Sequence, residues 1–337
     1  MNTKFKLSIA DSTQLKGIAL LLLLLHHLFY INDGTYDDIV ILGHGVIQMV
    51  AQIAKVCVAI FVFLSGYGLA TQYTSKPLIL SQFYQHRFKK LFFNYWLMWI
   101  LFVPMGIFYF GRTLNVVYEK HVFLKLIINI TGLQDIFGFY GYNATWWFIT
   151  CIILLYLVFP LLFKLSQNKL IIAIIVSFII MFMNLHYLQS VSYYLITFIM
   201  GIWVSKYPPL FTNINICIIL LLVTVLFRQF SPFMGGVKTD WLLTLILVLL
   251  FKRVSPLPEY LTKILHFLGK HSMNIFLFHT FIYAYYWHDL IYATRIPLII
   301  YIELLVICLL ISIGIEWGKR KLKMKVYRSI DIYDRRK

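Results

Sequence analysis

Ten apolar stretches recur along the chain, at about 13–31, 44–72, 90–110, 145–165, 169–185, 190–206, 212–228, 239–252, 272–288 and 296–316. A helix needs about 20 residues to cross the apolar core of a bilayer, and somewhat fewer at the short end of the range. The pattern therefore predicts an all-α polytopic membrane protein of about ten transmembrane helices, with 239–252 the shortest span. Polar breaks between the stretches are short, and no internal repeat is visible. The longest segment outside the spans, about 111–144, holds a further apolar patch, Val122 to Ile130, suited to a short interfacial or re-entrant helix. Lys4 and Lys6 ahead of the first run resemble the start of a signal peptide, but no small-residue cleavage site follows. That run is read as an uncleaved first helix.

Composition excludes a soluble domain: 61% of the 337 residues are hydrophobic and only 13% are charged. The net charge of +17 is topogenic rather than a nucleic-acid footprint, because it sits in short loops and at the C-terminal end and forms no recognised binding motif. With the N-terminus cytoplasmic, 22 Lys and Arg fall on the inner side and 6 on the outer, with Lys16 and Lys55 left inside spans. Both termini are accordingly expected in the cytoplasm. The domain reading is a membrane domain over 1–318 and a basic cytoplasmic tail over 319–337. The stretch Gly318 to Lys325 is expected on anionic headgroups. Cys57, Cys151, Cys217 and Cys308 all lie in apolar stretches without metal-ligand spacing, so no metal site is expected.

Ionisable residues inside spans are costly and mark candidate sites. Lys16 and His27 are 11 residues apart, so at 100° per residue they project within ~20° of each other, about 16 Å apart along the helix. That separation suits a ligand with phosphates at one end and a reactive group on a long arm. A cation at the inner mouth can neutralise phosphate, and a deep histidine can act as general base. The plainer alternatives are a snorkelling lysine and a hydrogen-bonded core histidine. His26 points about 80° away. Arg87 and Lys90 share a face where the third span begins, either as positive-inside charge or as the rest of a phosphate cradle. Lys55 is an intramembrane charge with Glu303 as expected partner, and Ser65-Gly66 allows close helix approach. Ser272 and His279 lie in the ninth span, His279 about 10 Å in from its edge and by itself more typical of packing. Asn143, Trp146 and Trp147 end the long outer segment, where they form either an aromatic belt or a sugar-stacking platform. Asp33, Asp37 and Asp38 read as a solvated loop. No GxSxG elbow, P-loop, HExxH or CxxC occurs.

Taken in order, four segments resemble the acyltransferase 3 family of membrane O-acyltransferases. They are the basic-x10-His pair Lys16 to His27, the Phe-rich Ser-Gly-Tyr stretch Phe61 to Tyr67, the Arg-x-x-basic pair Arg87 and Lys90, and Gly269 to His279. Gly201 matches the family's glycine near the end of a middle span. The family usually has Arg where Lys16 stands, which keeps the charge but not the bidentate geometry. Trp146 to Cys151 lacks a Glu that many members carry there. The resemblance implies cytoplasmic acyl-CoA, commonly acetyl-CoA, as donor, and as acceptor a hydroxyl of a surface polysaccharide or its precursor. It implies phosphate contacts from Lys16, Arg87 and Lys90, catalysis by His27, and residence in the bacterial cytoplasmic membrane. The competing reading is a transporter or flippase of a lipid-linked intermediate or small solute, with Lys55, His279 and Glu303 as a charge pathway. Broken helices in inverted repeats would favour it.

Overall fold

The computed structural model describes residues 5–41, 43–183, 185–208, 213–231 and 236–321. Most of them are helical, and the strands among them form one antiparallel hairpin of β1 (Val40–Ile41) with β2 (His44–Gly45). Among the described residues, six helical segments are long and apolar enough to cross a membrane, Val46–Thr74 counted as one. The chain is a multi-pass membrane protein. The shorter apolar helices α6 (Val122–Thr131), α8 (Gln167–Phe182) and α10 (Ile214–Phe230) accompany them, and the patch expected near the outer interface is α6. Most of the expected spans end within a few residues of their helices: α7 (Trp147–Lys164), α9 (Gln189–Lys206), α11 (Asp240–Val254) and α14 (Pro297–Lys321).

Three of the stretches depart from the apolar pattern. The second stretch is not one helix but α2 (Val46–Ile53) and α3 (Val56–Thr74), broken at Ala54 and Lys55. A broken helix at membrane depth must have its backbone groups satisfied by protein. Here His26 Nδ1 bonds the Ala51 carbonyl at 2.9 Å, and Arg228 Nη2 bonds the Gln52 carbonyl at 3.1 Å. Helix α4 (Leu80–Tyr109) begins ten residues before its apolar run, so Arg87 and Lys90 lie inside the helix rather than at its entry. Helix α12 (Glu259–Thr280) likewise begins well before its apolar part and continues as a π-helical segment, Phe281–Tyr286.

The site is framed by helix α1 (Ile9–Phe29). A capping box starts it: Ser8 Oγ accepts from the Asp11 amide, and Asp11 Oδ2 accepts from the Ser8 amide. Lys252 of α11 holds the same carboxylate at 2.9 Å. At the far end, Tyr36 and Tyr292 donate to the carbonyls of Phe29 and Leu28, which have no partner within the helix. Tyr301 of α14 donates to the Leu21 carbonyl at 3.0 Å.

Glycine sets how closely α1 meets α12. A Cβ on Gly17 would lie 2.2 Å from the Leu265 carbonyl oxygen, and one on Gly269 would lie 1.9 Å from that of Thr13. The same device joins α3 to α9: Gly66 lies under the Phe198 carbonyl and Gly201 under that of Phe63. Small residues are what allow backbones to touch in a membrane protein.

Helix α14 runs through Lys319 to Lys321, past the expected start of the tail at 319. Lys319 is only 3% exposed. Its ammonium donates to Asn94 Oδ1, Asn274 Oδ1 and Glu316 Oε1 at 2.9–3.0 Å. It therefore braces α14 against α4 and α12 instead of lying on headgroups. Residues 322–337, which hold most of the expected tail, lie outside the described residues.

Candidate active site

Lys16 and His27 share one face of α1, as their spacing requires, and each is joined by residues from other helices. At the Lys16 end, the charges acting on Lys16 are Lys90 and Arg87 of α4, both of its own sign. Lys16 keeps exposed surface although protein crowds it closely, which places its side chain along a cleft rather than on an outer surface. Arg87 is half-buried, and its Nη2 donates to Gln72 Oε1 near the end of α3. Its Nε is buried and has no partner. Asn94, one turn beyond Lys90, donates to the Lys90 carbonyl at 2.9 Å and accepts from Lys319. Three cations within mutual reach repel one another, and an anion relieves that repulsion. Such a cluster is chemically suited to phosphate.

At the other end, His27 lies against His279 of α12, ring centroids 4.9 Å apart. Tyr283, in the π-helical segment, places its hydroxyl 3.5 Å from His27 Nδ1. A π-helical turn rotates the side chains that follow it and is frequent at functional sites. Here it faces Tyr283 toward His27. His279 Nδ1 contacts the carbonyls of Ile275 and Phe276 at 2.9 and 3.1 Å. Carbonyls only accept, so that nitrogen carries the proton and Nε2 presents a lone pair. That Nε2 is buried without a partner. His26 is turned away to the Ala51 carbonyl, consistent with its 80° offset, and its part is to hold the break in the second span.

Several expected supporting residues have structural partners. Ser272 Oγ donates back to the Gly269 carbonyl at 2.8 Å, within its own helix. Ser65 Oγ donates to Tyr156 OH at 3.4 Å, a cross-helix contact beside the Gly66 crossing. The expected pairing of Lys55 with Glu303 does not form. The carboxylate acting on Lys55 is Asp240 of α11, and among the described residues no ion pair involves Glu303. The break at Ala54 and Lys55 turns the lysine toward α10 and α11, a redirection that a straight-helix register cannot foresee.

The outer aromatic segment also divides. Trp146 is fully buried among Tyr95, Trp99 and Phe281, and its Nε1 donates to the Leu277 carbonyl at 2.8 Å. Asn143 is likewise buried; its Oδ1 accepts from the amide and hydroxyl of Thr145, and its Nδ2 reaches Leu277 O. Both staple the segment onto α12 and neither is open to an acceptor. Only Trp147 keeps partial exposure, stacked at 14° on Tyr194. Nearby, burial lifts the Asp135 carboxyl above the usual range, opposed by the hydroxyl of Ser190, which donates to it at 2.5 Å.

Residue-level reading of the sequence missed Tyr283, Arg228 and Asp240. Tyr283 is four residues after His279, a spacing that would have put both on one helical face. Asp240 opens an apolar stretch, where a carboxylate is costly enough to mark itself.

A helical membrane protein with a cationic cleft at one end of its first helix and a histidine cluster at the other has the parts of a group-transfer enzyme. The acyltransferase 3 family model, described as an acyltransferase domain, matches residues 9–317. The chain belongs to that family and is a membrane acyltransferase. No curated protein and no solved structure matches it.

Proposed function

We propose that this protein is an O-acyltransferase that takes an acyl group, commonly acetyl, from cytoplasmic acyl-CoA. It places the group on a hydroxyl of a surface polysaccharide or its precursor across the cytoplasmic membrane of a bacterium. The observation that carries the reading is the pairing of Lys16, Arg87 and Lys90 at one end of α1 with His27, His279 and Tyr283 at the other. Phosphates of the donor bind the cations, and the pantetheine arm runs along α1 for about 16 Å. The thioester then lies beside His27. A ring nitrogen of His27 takes the proton of the acceptor hydroxyl as its oxygen attacks the thioester carbonyl. The C–S bond breaks, and the departing thiolate recovers the proton. Trp147, backed by the buried Tyr194, offers an aromatic face to a sugar ring.

The break in the second span is a feature shared with transporters. The inverted repeat that accompanies it there is not visible in this sequence, and the family supports transfer.

The test uses full-length protein in lipid nanodiscs with radiolabelled acetyl-CoA. Saturable binding and slow thioester hydrolysis are expected in the wild type. Lys16→Ala should weaken binding at least tenfold, and His27→Ala should retain binding but lose hydrolysis by a factor of ~10²–10⁴, the usual contribution of a general base. Binding by neither wild type nor variants refutes the donor assignment.

A further inference from the structure

At the far end of α1, His27 has a reaction step and His279 beside it has none. Yet His279 is tightly fixed. It is fully buried, and its Nδ1 contacts the carbonyls of Ile275 and Phe276 at 2.9 and 3.1 Å. Turning the ring over would surrender both bonds. Tyr283 stacks on it at 6.0 Å and 21°, and the Phe276 ring lies 6.4 Å away. The proton is therefore held on Nδ1, and Nε2 keeps a lone pair that no described residue meets. A buried acceptor left empty is costly, so its presence calls for a cause.

A donor stands within reach of that lone pair in His27. An imidazole nitrogen lies about 1.2 Å from its ring centre, so two rings joined by an N–H···N bond of about 2.9 Å have centres about 5 Å apart. The rings of His27 and His279 are 4.9 Å apart. The crossing at Gly17 and Gly269 holds them there, backbone against backbone. Tyr283 occupies the Nδ1 edge of His27, its hydroxyl 3.5 Å away, which leaves Nε2 as the nitrogen to turn toward His279. His27 keeps exposed surface and His279 has none, so substrate meets His27 while His279 stands behind it.

We propose that His279 is the positioning residue of the catalytic histidine: its Nε2 accepts the Nε2–H of His27 and thereby holds the basic lone pair on His27 Nδ1. The proposal rests on the acyl-CoA reading above. The acceptor hydroxyl approaches Nδ1 from the side of Tyr283. Its proton passes to Nδ1 as its oxygen bonds the thioester carbon; the C–S bond breaks, and the thiolate takes the proton back from Nδ1. Between those events the His27 imidazolium carries a proton on each nitrogen, and the one on Nε2 stays directed at His279. His279 keeps its own single proton on Nδ1 throughout and is neither acid nor base. The overall change is acyl-CoA and alcohol to ester and CoA thiol, or to free acid when water attacks. Catalytic triads use the same order of hydroxyl, histidine and buried acceptor, with a carboxylate in the last place. A neutral imidazole serves here without adding a negative charge at membrane depth.

The experiment uses full-length protein in nanodiscs, with acetyl-CoA binding, acetyl-CoA hydrolysis and the ring-nitrogen NMR signals of isotope-labelled histidine as separate readouts. His279→Leu should lower hydrolysis about 100-fold or more, within what a general base contributes, with the acetyl-CoA dissociation constant within about threefold of wild type. In the His27→Ala background the same change should cost less than about threefold, because a residue that acts only through His27 has nothing left to act on. A loss under about threefold in His279→Leu, or equal losses in both backgrounds, overturns the assignment and leaves His279 a packing residue. The wild type decides the matter if His279→Leu fails to fold. Its His27 signals, identified as those absent from His27→Gln, should show Nε2 protonated and Nδ1 bare; the opposite tautomer overturns the assignment. Failure of the wild type to bind acetyl-CoA overturns the acyl-CoA reading, while the tautomer still judges the histidine pair by itself.

Discussion

At the scale of single residues, side chains of the same chemical type are divided by what their polar atoms can reach. His26 and His27 are neighbours in sequence, yet one donates to a backbone carbonyl and the other lies open beside His279 and Tyr283. Trp146 and Trp147 divide in the same way, one buried in the aromatic core and one stacked on Tyr194 at its edge. The buried Arg228–Asp240 pair is the residue-scale feature most exposed to single substitutions. Removing one member of a buried pair strands the other charge, at a cost of about 3–5 kcal/mol, whereas removing both is far milder. Arg228→Met should therefore lower the thermal unfolding midpoint in detergent sharply. The double variant Arg228→Met/Asp240→Leu should recover most of the loss, less the hydrogen bond to the Gln52 carbonyl. A double variant no more stable than the single would show that the pair contributes nothing of its own.

At the scale of elements, two glycine crossings register the helices that carry the site. Gly17 and Gly269 bring α1 and α12 into backbone contact, which sets His27 against His279; Gly66 and Gly201 do the same for α3 and α9. The atoms a side chain would meet at Gly269 are backbone atoms, which cannot rotate away. Gly269→Val must therefore push α12 off α1. The expected outcome is loss of acetyl-CoA hydrolysis by more than tenfold with a depressed unfolding midpoint. At Gly314 of α14, no atom lies within 4 Å of an added Cβ, so Gly314→Val should leave both measurements close to wild type. Equal effects at the two positions would remove the crossing from the argument. The π-helical continuation of α12 works at this scale too, since it supplies Tyr283 to the face that α1 presents.

At the scale of the whole molecule, the bias of basic residues proposes both termini in the cytoplasm and the segment after α4 outside. Tyr140, 81% exposed, lies in that outer segment, and the four native cysteines are buried. Tyr140→Cys in intact cells should react with a membrane-impermeant maleimide, while a cysteine replacing Lys89, exposed near the start of α4, should react only after lysis. The reverse pattern would invert the protein. It would also move the cationic cleft away from the side where acyl-CoA is made.

Sequence alone determined the all-helical membrane character, most helix limits, and the shared face of Lys16 and His27. Each follows from local rules: apolar length, helical period and the cost of charge in lipid. It also carried the ordered segments by which the family is recognised. The partners across helices were not legible, because nothing local says which of many apolar faces will meet. Lys55 shows this most clearly. As part of a continuous span it points to no particular helix, and Glu303 was as good a partner as any. The break at Ala54, held by His26 and Arg228, turns it toward Asp240 instead. His279 was visible as the end of the Gly269 to His279 segment, but its partner was not; the glycine crossing of α1 and α12 sets it 4.9 Å from His27. Those contacts join residues on different helices, 25 to 252 positions apart for His26 with Ala51 and His27 with His279, and close packing of whole helices is what selects them.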